Sequence, residues 1–100
     1  MAKIKNCLVK NDFSIEKYDE IVKEIRDIKV KKQSDYGTFM WDLLGIKGAF
    51  ANILNKTLRL HNLVWKNKDV KYESARDTLL DLANYSLIGV MELDRREKRK

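Results

Sequence analysis

The sequence contains no proline, four glycines, one cysteine and one histidine among its 100 residues. Without proline nothing forces a helix to kink, and four glycines leave few places that favour a turn. That scarcity, set beside abundant Lys, Glu, Leu and Ile, predicts helix through most of the chain. A single Cys7 excludes an intrachain disulfide, and with only His61 beside it no zinc set of the usual spacing can form. These counts suit a reducing interior. No signal-peptide pattern is present, and no apolar stretch reaches the length of about 18 residues that a membrane span needs. The expected location is therefore the cytoplasm. Also missing are a glycine-rich phosphate loop, a Ser/His/Asp set and an activated cysteine.

The hydrophobic share of 44% belongs to a folded chain. One hundred residues make a single domain, 1–100, whose core is small enough that association between copies often adds needed burial. Lys and Arg number 21 against 15 acids, a net charge of +6. That balance suits an anionic partner, whether nucleotide, nucleic acid or acidic surface, without choosing among them. Part of the excess lies at the two ends. Residues 1–12 read as a basic arm with Ile4, Leu8 and Val9 to pack on the body, and residues 94–100 as a basic tail fraying after Leu93.

Between these ends the apolar spacing is helical. Ser14 suits an N-cap, and Ile15, Tyr18, Ile21, Val22, Ile25 and Ile28 form one face of a helix ending near Lys31–Gln33. Ser34, Asp35 and Gly37 mark a turn. Thr38 to Leu44, with Phe39, Met40 and Trp41, reads as a short helix, and Gly45 and Gly48 bracket a second break after it. A further helix runs from about Lys47 to Lys66. Phe50, Ile53, Leu54, Thr57, Leu60, His61 and Val64 share its apolar face, with His61 expected as a hydrogen-bonded core residue. Asn52, Asn55, Lys56, Arg59, Asn62 and Lys66 share its polar face. After a loop over 67–72 comes the most apolar segment, Leu79 to Leu93, apolar nearly all round and so expected as a buried central helix. The fold class is all-α, a small bundle of about four helices.

Glu73, Asp77 and Asp81 recur at i, i+4 and i+8 on that last helix, with Asn84 among them, all within roughly 80° of arc. Three like charges in one stripe repel, and burying them costs several kcal/mol unless a cation or a donor faces them. Three chemistries fit. The carboxylates could hold Mg²⁺ beside a phosphate. They could pair with Lys and Arg of a neighbouring helix and serve folding alone. Or they could read the polar edge of a base while nearby cations hold phosphate.

Three motifs in order, Lys32-Gln33-Ser34-Asp35-Tyr36-Gly37, then Lys56-Thr57-Leu58-Arg59-Leu60, then Glu73 through Tyr85, resemble the nucleotide modification associated domain 1 family. That largely phage-encoded family is similar to the MazG-like all-α nucleotide pyrophosphohydrolases. The resemblance covers about residues 30–92. It implies an all-α fold packing helices between subunits, commonly as a dimer or tetramer, and a ligand containing a nucleotide. MazG-like enzymes usually cage magnesium between a Glu-x-x-Glu pair on one helix and a Glu-x-x-Asp pair on the next. Here the earlier helix offers Lys56 and Arg59 in place of the glutamate pair, and the acids are spaced Asp-x-x-x-Asp.

That departure favours binding over hydrolysis. The expected function is a nucleotide binder that sequesters a ligand, for example a cyclic dinucleotide signal in the cytoplasm of a phage-infected cell, in a pocket between subunits. Lys32, Lys56 and Arg59 would contact phosphate, and Tyr36 or Trp41 would stack on a base. Asp77, Asp81 and Asn84 would read polar edges, with Asp35 and Tyr85 beside them. No cofactor is expected in this reading. One alternative is a Mg²⁺-dependent pyrophosphohydrolase with Glu73, Asp77 and Asp81 as ligands. Another is a structural or protein-interaction module. No recognition-helix pattern supports nucleic acid as the partner, and no membrane partner is expected.

Overall fold

The computed structural model describes residues 13–66 and 72–98, with all their side chains except those of Tyr36, Phe39 and Met40. The arm 1–12, the connection 67–71 and the last two residues of the tail lie outside it. The described residues contain three helices and no strand: α1 Ile15–Tyr36, α2 Phe39–His61 and α3 Tyr72–Lys98.

Ser14 caps α1 as its spacing predicts, its hydroxyl accepting a hydrogen bond from the Lys17 amide at 3.0 Å. The helix runs a turn further than expected. Lys29 donates to Gln33 at 2.7 Å and Lys31 pairs with Asp35 at 3.1 Å, both at i,i+4, so the polar stretch supports helix up to Gly37. Gly37 ends it at φ 72, a conformation that costs other residues, and its N–H donates to the Gln33 carbonyl at 2.7 Å.

The two expected middle helices form one element, α2, kinked at Gly45 where φ is 59. Gly48 lies within the helix and is buried, and a Cβ on it would stand 2.6 Å from the Leu44 Cβ. Beyond His61 the helix widens into a π-helical turn over Asn62–Lys66. α3 continues past Leu93 to Lys98, so most of the tail read as fraying is ordered helix.

α3 runs antiparallel to α2, and facing pairs step in opposite directions along the two chains: Asp42 with Arg95, Ala49 beside Gly89, Lys56 with Asp81, Arg59 with Thr78. α1 also packs on α3 and runs parallel to it, pairing Glu24 with Arg76 and Lys32 with Asp81. α3 is central in this sense. Its buried face is the stripe Leu80, Asn84, Ile88 and Glu92, packed with Ile25 of α1 and Ala49 of α2. The opposite face corrects the expectation of a buried helix: Leu79 is 50% exposed, Val90 55%, and Leu87, Met91 and Leu93 are similar. Two neighbouring helices cannot surround a third, so an apolar girdle stays uncovered by the described residues.

α2 departs further from the expected orientation. Its polar residues Asn52 and Lys56 turn toward the other helices, while Phe50, 62% exposed, lies outward with Leu54, Thr57 and His61. His61 is not a core residue. Asp81 and Thr78 on α3 offer partners to Lys56 and Arg59, and Ala49, Ile53 and Leu60 supply enough apolar contact to seat that arc inward.

Arg76 grips Glu24 with both terminal nitrogens, at 2.7 and 2.8 Å. This fork-on-fork hydrogen bonding holds the Glu24 carboxyl below its usual range and raises Arg76 above its own. A lowered carboxyl pKa means that the pair's stabilisation is present above the ordinary glutamate value and is lost as pH falls through the folded-state value. Glu24→Gln should therefore melt at a lower temperature than the parent at pH 7. The two melting curves should converge below about pH 4. Circular-dichroism melts across that range check this, and a constant gap at every pH would contradict it.

Candidate functional site

α1 presents Lys29, Lys32 and Gln33 on one face, since positions i, i+3 and i+4 of a helix are neighbours. Across from them stand Trp41 and Asn52 of α2 and Asn84, Tyr85 and Ile88 of α3. Together they line a cavity of about 550 Å³, inside the range of small-ligand sites. The Trp41 and Tyr85 rings meet with centroids 5.9 Å apart and planes tilted by 57°. The Lys32 ammonium lies 5.3 Å from the centre of the Tyr85 ring, within cation–π reach. Lys29 is steered by its hydrogen bond to Gln33, and Asn52 by donating 2.9 Å to the Gly48 carbonyl.

Beside this cavity Asp81 joins three helices. Its carboxylate receives the Lys56 ammonium at 3.0 Å from α2 and the Lys32 ammonium at 3.5 Å from α1. One anion between two cations leaves a local excess of positive charge, and Lys29 adds to it. Asn84, one turn along the same stripe, is only 2% exposed. Among the described residues no hydrogen bond reaches its amide, and it borders the cavity. Its donor and acceptor are thus presented to whatever enters the cavity.

Of the residues singled out from the sequence, Lys32, Trp41, Asn84 and Tyr85 come together around this cavity, with Asp81 and Lys56 at its edge. Arg59 does not reach it. Its Nε donates to the Thr78 hydroxyl at 3.1 Å, a turn further along the α2–α3 seam. Asp35 and Asp77 line a different cavity of about 480 Å³ between α1 and α3 together with Lys32 and Asp81; there Asp35 pairs with Lys31 and Asp77 is exposed. Glu73 is exposed as well. Tyr36 closes α1; its side chain lies outside the description.

The sequence reading missed Lys29, Gln33 and Ile88 in the cavity wall and Thr78 beneath Arg59. The i, i+3, i+4 spacing of Lys29, Lys32 and Gln33 carried a usable signal. Thr78 carried none, because a lone threonine in a helix gives no hint of burial.

The acid stripe does not fit a magnesium cage. Asp35 of α1 lines the same cavity as Asp77 and Asp81, but it is paired with Lys31, and Asp81 is engaged by two ammonium groups. Among the described residues no three His, Cys, Asp or Glu side chains converge as cation ligands.

A family model for nucleotide modification associated domain 1 matches residues 32–93. It covers more than half of the chain, and the protein belongs to that family. No curated protein and no solved structure matches.

Asp81 and Asp77, which both line the α1–α3 cavity, should respond differently to substitution. Asp81→Asn leaves Lys32 and Lys56 facing each other and should lower stability by about 1 kcal/mol. Asp77→Asn, at an exposed position with no partner among the described residues, should stay within about 0.5 kcal/mol of the parent. Urea unfolding of the two variants checks the contrast, and equal losses would refute the bridging role of Asp81.

Proposed function

We propose that this family member binds a nucleotide in the Trp41–Tyr85 cavity and holds it without hydrolysing it. The observation that carries the reading is the Asn84 amide, which lines an aromatic-walled cavity and has no hydrogen-bond partner among the described residues. An amide offers one donor edge and one acceptor edge, which is what the polar edge of a base requires. The tilted Trp41 and Tyr85 rings offer stacking surface, worth about 1–3 kcal/mol per base. Lys29 and Lys32 supply positive charge for phosphate, with Lys56 held close by through Asp81. The carboxylates that a hydrolase would need for metal are apart or already paired, which favours retention of the ligand over its cleavage.

A second cavity of about 390 Å³ shares Lys29, Gln33, Trp41 and Ile88 with the first and continues past Trp41 toward Thr38, Met91 and Arg95. This continuity favours a ligand longer than a mononucleotide, and a cyclic dinucleotide is the form we propose. Sequestering such a signal would suit a phage protein acting in the cytoplasm of an infected cell. We further propose that the protein works as a homo-oligomer. Phe50, Leu54 and Leu58 on α2 and Leu79, Leu87 and Val90 on α3 are exposed apolar side chains that a second copy would cover.

A thermal-shift panel of linear and cyclic nucleotides should raise Tm, and mass spectrometry should recover the ligand intact from denatured protein. Asn84→Ala and Trp41→Ala should each weaken binding by about tenfold, the worth of one hydrogen bond or one stacked ring. Pyrophosphate released from nucleoside triphosphates with Mg²⁺ would overturn the reading in favour of a MazG-like hydrolase, and no response to any nucleotide would favour an interaction module. In sedimentation the parent should run above its chain mass of 11.8 kDa and Phe50→Glu at lower mass. A parent that runs at that mass ends the oligomer proposal.

A further inference from the structure

Two glycines with positive φ, Gly37 at 72 and Gly45 at 59, flank the short stretch that carries Trp41. Most residues resist that conformation, so both ends of the stretch are points where the backbone changes direction sharply. Within it, Trp41 and Asp42 start their helical turn by donating backbone hydrogen bonds to the Thr38 carbonyl at 3.0 and 3.1 Å. The stretch is short, and Leu43 and Leu44 on it are largely exposed. Among the described residues, no side-chain hydrogen bond within the stretch fixes where the indole points.

A single guanidinium from α3 supplies what is missing. Arg95 donates through one terminal nitrogen to the Asp42 carboxylate. Through the other it donates to the Trp41 carbonyl, at 3.2 Å, and to the Glu92 carboxylate. Glu92 is itself 8% exposed and fits against the kink, where a Cβ on Gly45 would stand 3.3 Å from its Oε2. The missing side chain at Gly45 thus makes room for the acid that orients the arginine, which holds the backbone of the residue forming the cavity wall. Lysine could not do the same, since it lacks the planar fork that reaches several acceptors at fixed angles.

We infer that Arg95 is a positioning residue for the ligand cavity, clasping the Gly37–Gly45 stretch so that the Trp41 ring stays against Tyr85. Arg95 lies beyond residues 32–93 matched by the family model, in the segment whose composition alone reads as a solvated basic tail. The inference rests on the nucleotide-binding reading for its purpose, but its structural content can be tested with no ligand present.

Trp41 can be made the sole tryptophan by Trp65→Phe, a change at a site that is 77% exposed. In that background, Arg95→Gln should shift Trp41 emission to the red and raise acrylamide quenching roughly twofold as the half-buried ring gains solvent. Arg95→Lys, which keeps the charge and loses the fork, should do the same, and Arg96→Gln should match the parent. Far-UV circular dichroism should show equal helix content in all four proteins. Titration with cyclic di-AMP should then show about tenfold weaker binding in both Arg95 variants, the equivalent of one stacked base. Unchanged emission in the Arg95 variants overturns the inference, as does parent-like behaviour of Arg95→Lys. Loss of helix along with the shift also overturns it, since Arg95 would then serve the fold at large. Should the parent bind neither cyclic di-AMP nor any other nucleotide, the function reading falls, while the clasp still stands or falls on emission alone.

Discussion

One carboxylate with two ammonium partners sets the arrangement of this protein. Asp81 lies on the helix that the other two pack against, and it takes Lys32 from one side and Lys56 from the other. Removing an acid from water in an apolar segment is unfavourable unless cations accompany it. Satisfying Asp81 therefore fixes which face of α1 and which face of α2 turn toward α3. The rotation of α2 that results brings Asn52 in and sends Phe50 out. The polar cavity and the exposed apolar flank are two outcomes of the same rotation.

That link explains why a chain of this size keeps so few fully buried apolar side chains. Ile25, Ala49, Leu80 and Ile88 form the whole buried apolar set of the described residues. The remaining space along the seam goes to Thr78, Asn84 and Glu92, polar groups that serve geometry or recognition. Thr78 turns Arg59, Glu92 holds Arg95, and Asn84 borders the cavity. Polar groups in a core cost stability, and burial between copies is the natural source of compensation in a small domain.

Much of this was legible in the residues. Ser14 announced the start of α1, and Gly37 and Gly45 announced the breaks, because capping and positive φ are local properties that sequence encodes directly. The need for cations opposite Asp81 also followed from charge and apolarity within one helix. The direction in which α2 faces did not follow. Helical periodicity separates Phe50, Leu54 and His61 from Asn52 and Lys56, but it does not say which arc meets a neighbour. The ordinary assumption that the apolar arc faces inward gave the wrong answer for His61, which is exposed. Arg95 was hidden for a similar reason. In a run of basic residues, one that clasps a kink looks the same as those that only carry charge.

The antiparallel seam between α2 and α3 also limits how the gene can drift. Asp42 with Arg95, Ala49 beside Gly89, Lys56 with Asp81 and Arg59 with Thr78 form a ladder in strict register along most of both helices. Inserting or deleting one codon inside either helix rotates everything beyond it by about 100°, separating the rungs on the far side together. Substitutions can be absorbed rung by rung, whereas changes of length cannot. Homologues should accordingly differ in length outside the laddered spans while keeping the spacing from Asp42 to Arg59 and from Thr78 to Arg95 intact.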